Sequence, residues 1–355
     1  MNNRSAIIRL VISYTLCVCL VVFGFSYIII KIKPPFTDNF QNIGFFDNNF
    51  VFNDVKNTQS NTQNTNSSPV NANQNTVSVN SVTSSLPAQA GAVKGNVIEK
   101  YISPYTAKLS YDKVYMKNST PLSINIKNLL NSKLSFKIEK NNKPQVLIVH
   151  THTTETYLSG DYKTYTDSYS SRTTDNQKNM VAIGEIIAKK LNNAGIKTLH
   201  DKTQHDYPQY NGSYGRSAAT VKSYLSKYKD IKIVIDLHRD SITVSGNDKA
   251  KLVTKINGKK AAQVMLVMGS QSGSIKNHPN WQENLKLALK LQQTMEAKYP
   301  TLARPLTLAS KNYNQSLSKG ALLIEFGTDM NSLDEAKYSA ELVAESLITL
   351  LNTLK

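Results

Sequence analysis

The chain has 355 residues, enough for one large domain with appendages or for two modest ones. Lys and Arg number 42 against 25 Asp and Glu, a formal net charge of +17 that favours an anionic partner such as nucleic acid, a lipid surface or an acidic polymer. The excess is scattered, with no Arg-rich helix and no nucleic-acid motif, which argues against nucleic acid. Both cysteines, Cys17 and Cys19, lie in an N-terminal apolar run, so the rest of the chain can hold neither a disulfide framework nor a cysteine-based zinc site.

Residues 10–30, "LVISYTLCVCLVVFGFSYIII", are uncharged and apolar over the roughly 20 residues that a helix needs to cross a bilayer. Arg4 and Arg9 precede the run, and Lys31 and Lys33 follow it, so flanking charge alone leaves the orientation open. The short leading segment favours a cytoplasmic tail at residues 1–9 and an extracytoplasmic body. A cleaved signal peptide is the rival; the run is long for one, and no A-x-A site follows. Residues 31–95 are expected to be a flexible linker, because 54–95 are rich in Asn, Ser, Thr and Gln and poor in large apolar side chains whose burial offsets ordering entropy. Residues 96–143 have mixed Tyr, Leu, Ile and Lys character and form a lead-in region.

From about residue 144 strands alternate with helices. "QVLIVH" is a continuous apolar run, as in a strand buried on both faces. A polar loop at 153–175 follows. "NMVAIGEIIAKKLNNAG" then carries Met180, Ile183, Ile187 and Leu191 at helical spacing and stops at Gly195. "IKTLHD" reads as a short strand, "SAATVKSYLSKY" as a helix, "IKIVIDLH" and "AAQVMLVMG" as apolar strands, and "WQENLKLALKLQQTMEAKY" as a long amphipathic helix. "GALLIEFG" is another buried strand, and a closing helix starts at Ser332, its N-cap. The pattern predicts an α/β fold with a mostly parallel sheet covered by helices on both faces, over residues 144–355.

Open α/β sheets place their chemistry beyond the carboxyl ends of strands. His150 ends "VLIV", His238 ends "IVIDL" and Glu325 ends "LLI". A carboxylate on a buried strand is costly unless paired or coordinated, so two His strand ends, a Glu strand end and no Cys point to a zinc site. His200 and His205, in "LHDKTQHDYPQY", read as structural residues. His278, in "NHPNW" beside Trp281, is a candidate substrate contact.

"VLIVHTHTTETY", "DLHRDS", "HPNWQENLKLALKLQ", "YNQSLSKGALLIEFG" and "NSLDEA" occur in that order. Together they resemble the stage II sporulation protein P family, membrane-anchored cell-wall hydrolases related in fold to zinc-dependent N-acetylmuramoyl-L-alanine amidases. The resemblance implies a zinc site made of a His after the first strand, an acidic residue and His238. The first His is His150 or His152, with His150 favoured because it directly ends the apolar run. The acidic ligand is Asp175, taken to open the first helix, or Glu155, which could instead hold a ligand His from behind. Glu325 takes the catalytic position, with Asn331 six residues on as in the amidases; Asp240 stands where many amidases carry Asn. The implied activities are cleavage of the muramoyl-L-alanine amide and of peptide cross-links in peptidoglycan. The implied partners, during engulfment of the forespore, are a polytopic membrane scaffold and a lytic transglycosylase.

The expected chemistry is metal-assisted amide hydrolysis with Glu325 as general base and then acid. Arg239 or Arg304 is a candidate for binding a stem-peptide carboxylate, and Asn331 a candidate for contacting substrate. Two rivals stand beside this: a non-catalytic wall-binding or scaffold module on the same fold, and a zinc peptidase acting on proteins.

Overall fold

The computed structural model describes residues 89–139 and 141–354. The expected cytoplasmic tail (1–9), the apolar run expected to cross a membrane (10–30) and nearly all of the expected linker lie outside the described residues. Among the described residues no helix is long and apolar enough to cross a membrane.

Thirteen strands are described: β1 (Val93–Lys100), β2 (Leu109–Tyr111), β3 (Val114–Asn118), β4 (Val146–Val149), β5 (Thr164–Thr166), β6 (Thr198–His200), β7 (Ile233–Asp240), β8 (Thr243–Ser245), β9 (Asp248–Ile256), β10 (Lys259–Ala262), β11 (Val264–Gly269), β12 (Leu306–Ala309) and β13 (Ala321–Thr328). Five α-helices accompany them: α1 (Ile126–Asn131), α2 (Met180–Asn193), α3 (Ser213–Lys227), α4 (Trp281–Lys298) and α5 (Leu333–Asn352).

The main sheet has eight strands in the order β2-β3-β12-β11-β13-β7-β4-β6. Alternate residues of its strands face opposite ways. Val146 and Ile148 of β4, and Ile233, Ile235 and Leu237 of β7, join the large core formed with α2, α4 and α5. Leu147, Val149 and Val234 point the other way, into a smaller cluster with Val221 of α3. Both faces are therefore apolar and covered. The helical stripe of α2 (Met180, Ile183, Ile187, Leu191) is fully buried. Gly195 follows the C-cap Ala194 at φ +77°, a left-handed turn that suits glycine. Ser332 caps α5 in a reciprocal capping box with Glu335.

The mostly parallel sheet expected from the strand–helix alternation is corrected to a mixed one. β13-β7-β4-β6 are parallel and β12 is parallel to β11 and β3, but β11 is antiparallel to β13 and β2 to β3. The cause is the connection after β7. A parallel return needs a crossover of a dozen or more residues, usually a helix. Here the chain leaves β7 into β8, β9 and β10, and Gln263 alone separates β10 from β11. The chain thus re-enters the main sheet opposite Phe326, near the carboxyl end of β13, and runs back along it.

β8, β9 and β10 belong to a second sheet, in the order β10-β9-β1-β5 with β8 paired to β9. β1 lies within it, parallel to β9 and antiparallel to β5. β3 extends the main sheet through β12. Strands of the lead-in region are thus paired with the body in both sheets.

Candidate active site

The site forms beyond the carboxyl ends of β4, β7 and β13. Asp236 and His238, two residues apart on β7, share the α3 side of the sheet with Val149 and Val234. Glu325 of β13 is directly opposite His238 in the parallel ladder, so its side chain joins the same side. His238 and Glu325 are 3% and 2% exposed. Asp236 accepts the Thr151 N–H at 2.8 Å and the Thr151 hydroxyl at 2.6 Å, which ties the loop after β4 to β7. His238 Nε2 stands 3.0 Å from the Asp236 carboxylate, yet out of line for a hydrogen bond, and has no other partner among the described residues. Its Nδ1 is 3.7 Å from Glu155.

The loop after β4 brings in His152 and Glu155, three and six residues past Val149. The His152 ring packs edge-on against that of His238, with centroids 5.3 Å apart. It stacks on Tyr210 at 4.7 Å, and its two nitrogens lie 3.3 Å from the Tyr210 hydroxyl and 3.4 Å from that of Ser213. Glu155 accepts the Arg239 N–H at 3.1 Å and lies 3.8 Å from the Arg172 guanidinium. Arg172 also pairs with Asp206 at 2.5 Å and sits 4.6 Å over the Tyr210 ring. Asp206 in turn accepts the Thr154 N–H and hydroxyl. Tyr214, on the first turn of α3, closes on His152 edge-on at 5.7 Å.

The electrostatics separate the groups. Burial opposes the imidazolium of His238, but the Asp236 charge beside it, with Glu155 and Glu325, overcomes this and lifts its pKa to about 10. Burial and the neighbouring His238 charge push His152 down to about 3. Burial raises Glu325 to about 8, against the pull of His238. One imidazole is thus held charged, its neighbour neutral, and the carboxyl opposite is poised near neutrality.

A family model for stage II sporulation protein P (SpoIIP) matches residues 41–348. The chain belongs to this family. The stage II sporulation protein P of Bacillus subtilis (strain 168) is 33% identical over 214 residues, 57% of this chain and 50% of the relative. The chain therefore spans about half the length of that curated relative. Among solved structures, the CwlD amidase from Clostridioides difficile, in complex with the GerS lipoprotein, is similar at a TM-score of 0.39 and 11% identity, over 59% of this chain and 98% of that one. An N-acetylmuramoyl-L-alanine amidase from Clostridium difficile 630 is similar at a TM-score of 0.34 and 16% identity, over 60% and 97%.

Within this SpoIIP-family chain, the residues singled out by sequence are brought together unevenly. His152, His238, Glu155 and Glu325 converge. His150, which strand geometry favoured over His152, turns the other way. Its ring lies on the α2 side, with Nε2 2.8 Å from Nε2 of His200, and a Cβ on Gly184 of α2 would stand 2.9 Å from it. Asp175 does not open α2, the first helix after β4, which starts at Met180 with Asn179 as its cap. The Asp175 carboxylate accepts the Gln177 N–H at 2.9 Å and pairs with Lys178 at 3.0 Å. Arg239 donates to the carbonyls of Thr156 and Ser171, at 3.2 and 2.8 Å, so its guanidinium serves the loop around the site. Asn331 spends its amide on Leu252, Thr328 and Glu335, and its oxygen is where a Cβ on Gly327 (φ +63°) would fall. His278 follows the end of β11, which runs antiparallel to β13, and is therefore at the opposite end of the sheet from Glu325.

Asp236, Arg172, Tyr210 and Tyr214 were not singled out from the sequence. Asp236 had a signal: an acidic residue two before His238 on one strand shares its face. The others lie in loops or on a helix end, where spacing carries no such information.

The donor set fits zinc in kind: two imidazoles and a carboxylate, with Nδ1 of His238 turned toward Glu155 at 3.7 Å. Among the described residues no three His, Cys, Asp or Glu groups are close enough to hold a metal ion as they stand. Both nitrogens of His152 face hydroxyls, those of Tyr210 and Ser213.

Proposed function

We propose that the protein is a zinc-dependent peptidoglycan hydrolase acting in sporulation. It cleaves the amide between N-acetylmuramic acid and L-alanine, and peptide cross-links at the same site. The observation that carries the reading is the pairing of Glu325 with His238 across the β13–β7 ladder, with His152 and Glu155 packed beside them. His152, His238 and Glu155 would hold the metal. Zinc there would supply polarisation of the scissile carbonyl and a water of lowered pKa. Glu325 accepts the proton of the attacking water and returns it to the leaving amine. Asp236 orients His238 from the strand and, through Thr151, fixes the loop that carries His152. Arg172 and Arg239 hold Glu155 in place.

The apolar run at 10–30 would anchor the chain, N-terminus in the cytoplasm, with the body outside. The net charge of +17 suits an anionic wall. A membrane scaffold and a lytic transglycosylase of engulfment are the proposed partners.

The uncoordinated spacing of the His152, His238 and Glu155 groups favours one rival, a wall-binding module without metal. Digestion of purified peptidoglycan with and without a chelator, read by mass spectrometry of the released bonds, separates the two. Chelator-sensitive release of free muramic acid ends supports the hydrolase; wall binding with no released product and no retained zinc supports the module.

A further inference from the structure

Beside His152 the surface carries a short loop that the chemistry above leaves unused. Five consecutive residues, Tyr207, Pro208, Gln209, Tyr210 and Asn211, are exposed, Tyr207 at 58% and Tyr210 at 44%. The segment that carries His152 and Glu155 holds this loop at two points. Asp206, just before it, is buried and accepts the Thr154 N–H at 3.1 Å and the Thr154 hydroxyl at 2.7 Å. The Tyr210 ring stacks on His152 at 4.7 Å, with 13° between the planes. Arg216 of α3 fixes the backbone between these anchors: its guanidinium donates to the carbonyls of His205 at 2.6 Å, of Asn211 at 3.1 Å and of Gln209.

A single exposed aromatic ring is ordinary surface. Two tyrosines on one loop whose carbonyls are tied down are different, because they offer rigid contact area at a small cost in ordering. The five exposed side chains are two phenols, two amides and a proline, without charge, in a chain that has 42 Lys and Arg. The cations on either side are engaged: Arg216 on the three carbonyls, and Arg172 on Asp206 at 2.5 Å and over the Tyr210 ring at 4.6 Å. An anionic polymer or a stem-peptide carboxylate calls for spare guanidinium or ammonium donors. A saccharide calls instead for an aromatic face against its C–H surface, and for neutral amides and hydroxyls against its hydroxyl and N-acetyl groups.

We infer that the Tyr207–Asn211 loop is a saccharide-binding rim: it seats neutral N-acetylated sugars of a glycan strand beside His152 and makes the enzyme favour long strands over single muramoyl units. This rests on the reading of the site as that of a peptidoglycan hydrolase, whose substrate carries a glycan on one side of the scissile amide. Tyr207 lies between the two anchors and is the more exposed of the two tyrosines, so its ring can be changed without removing either anchor.

The test compares full-length wild type, Tyr207→Ala and Tyr207→Trp, each checked for Tm and bound zinc. Calorimetric titration with a β-1,4-linked tetramer of N-acetylglucosamine, and separately with a sugar-free stem pentapeptide, gives Kd. Digestion of peptidoglycan fragments of one and of several disaccharides gives kcat and KM. Tyr207→Ala is expected to weaken tetramer binding about 10-fold, to raise KM for the longer fragments by a similar factor at near wild-type kcat, and to leave stem-peptide binding unchanged. Tyr207→Trp should keep the wild-type values. Equal tetramer binding by wild type and Tyr207→Ala, or no tetramer binding by wild type, would overturn the inference, as would a loss confined to the stem peptide. Wild type that binds the tetramer through Tyr207 but releases no product from peptidoglycan with zinc present would instead remove the hydrolase reading and leave the saccharide rim standing.

Discussion

His238 of β7 and Glu325 of β13 are direct partners in a parallel ladder. Parallel partners present their side chains on the same face, so the two groups emerge together at the carboxyl ends of two fully buried strands. Neither strand offers water to its end groups. The carboxyl of Glu325 is thereby raised to about 8, mainly by burial. A proton carrier with a pKa near the working pH is what acid–base catalysis of amide cleavage requires.

Glu325→Gln should therefore keep the fold and about one zinc, but lose roughly 10²–10⁴-fold in rate. Gln preserves the size of the side chain and removes the proton acceptor. Metal analysis and peptidoglycan digestion on the same preparation check this. Loss of zinc would make Glu325 a ligand, and a rate within severalfold of wild type would leave it structural.

The two histidines of "HTHTTE" should separate cleanly. His152→Ala is expected to lose zinc and activity at near wild-type stability, because the ring packs against His238 from a loop. His150→Ala should keep zinc stoichiometry and lose stability instead, since its fully buried ring fills the space between His200 and Gly184. The cost of such a core truncation is about 2–4 kcal/mol. Gly184→Ala probes the same pocket from α2: its Cβ would fall 2.5 Å from His200 Nε2, so overpacking of about 1–3 kcal/mol is expected with zinc retained. Zinc loss in His150→Ala together with zinc retention in His152→Ala would reverse the assignment.

The same pair of residues shows how far the site was legible. That His238 and Glu325 lie near the carboxyl ends of buried strands could be read from the unbroken apolar runs before them, although β7 continues to Asp240 and β13 to Thr328, and Ser332 was legible as a cap. Which of His150 and His152 joins them could not be read. In "VLIV" both faces of β4 are apolar, Val146 and Ile148 on one and Leu147 and Val149 on the other, so the run carries no phase to say which way the next residue turns. Asp175 and Asn179 are both cap-type residues, and the first fully buried position, Met180, decides for Asn179. The spacing of Glu325 and Asn331 matched the amidases, yet spacing is silent on whether an amide is free, and that of Asn331 is consumed by Leu252, Thr328 and Glu335. The direction of β11 is set by the short link from β10, not by the composition of either strand.

Acid should weaken the junction between the second sheet and α5. Lys251, 1% exposed, pairs with Glu335 at 2.9 Å and with Asp161 and Glu99, while Lys260 pairs with the same Glu99 and Asp161. Burial raises the carboxyl groups of Glu99 and Asp161, but the two lysines outweigh it and hold both below their ordinary values. A depressed carboxyl contributes stability that is present above its unfolded pKa, about 4, and is lost as pH falls through the lower folded value. Tm should therefore fall below about pH 4, and the Glu99→Gln/Asp161→Asn double variant should show a shallower fall. An equal acid slope in wild type and variant would remove these two groups from the account.

The amino-terminal boundary of the folded body should lie just before β1. This strand sits between β9 and β5, with Val97 and Ile102 buried. Gln263, the single residue between β10 and β11, accepts the Ile102 N–H at 2.8 Å and donates to the Ile102 carbonyl at 3.0 Å, so the end of β1 is tied to the link that turns the chain back into the main sheet. A fragment beginning at residue 89 should therefore fold, stay in the soluble fraction and digest peptidoglycan, because the proposed anchor at 10–30 has been removed and every described strand is kept. A fragment beginning at residue 96 loses the Val93 and Gly95 pairings to β5 and should be measurably less stable. One beginning at residue 103 loses all of β1 and exposes the facing edges of β9 and β5. The burial of Val97 and Ile102 alone is worth about 3–6 kcal/mol, a large share of the stability of an ordinary domain. Thermal melts of the three fragments should rank in that order. Equal Tm values for the fragments starting at 89 and 103 would show that β1 is dispensable, and quantitative partition of the 89 fragment into detergent would place a membrane-binding surface on the body itself.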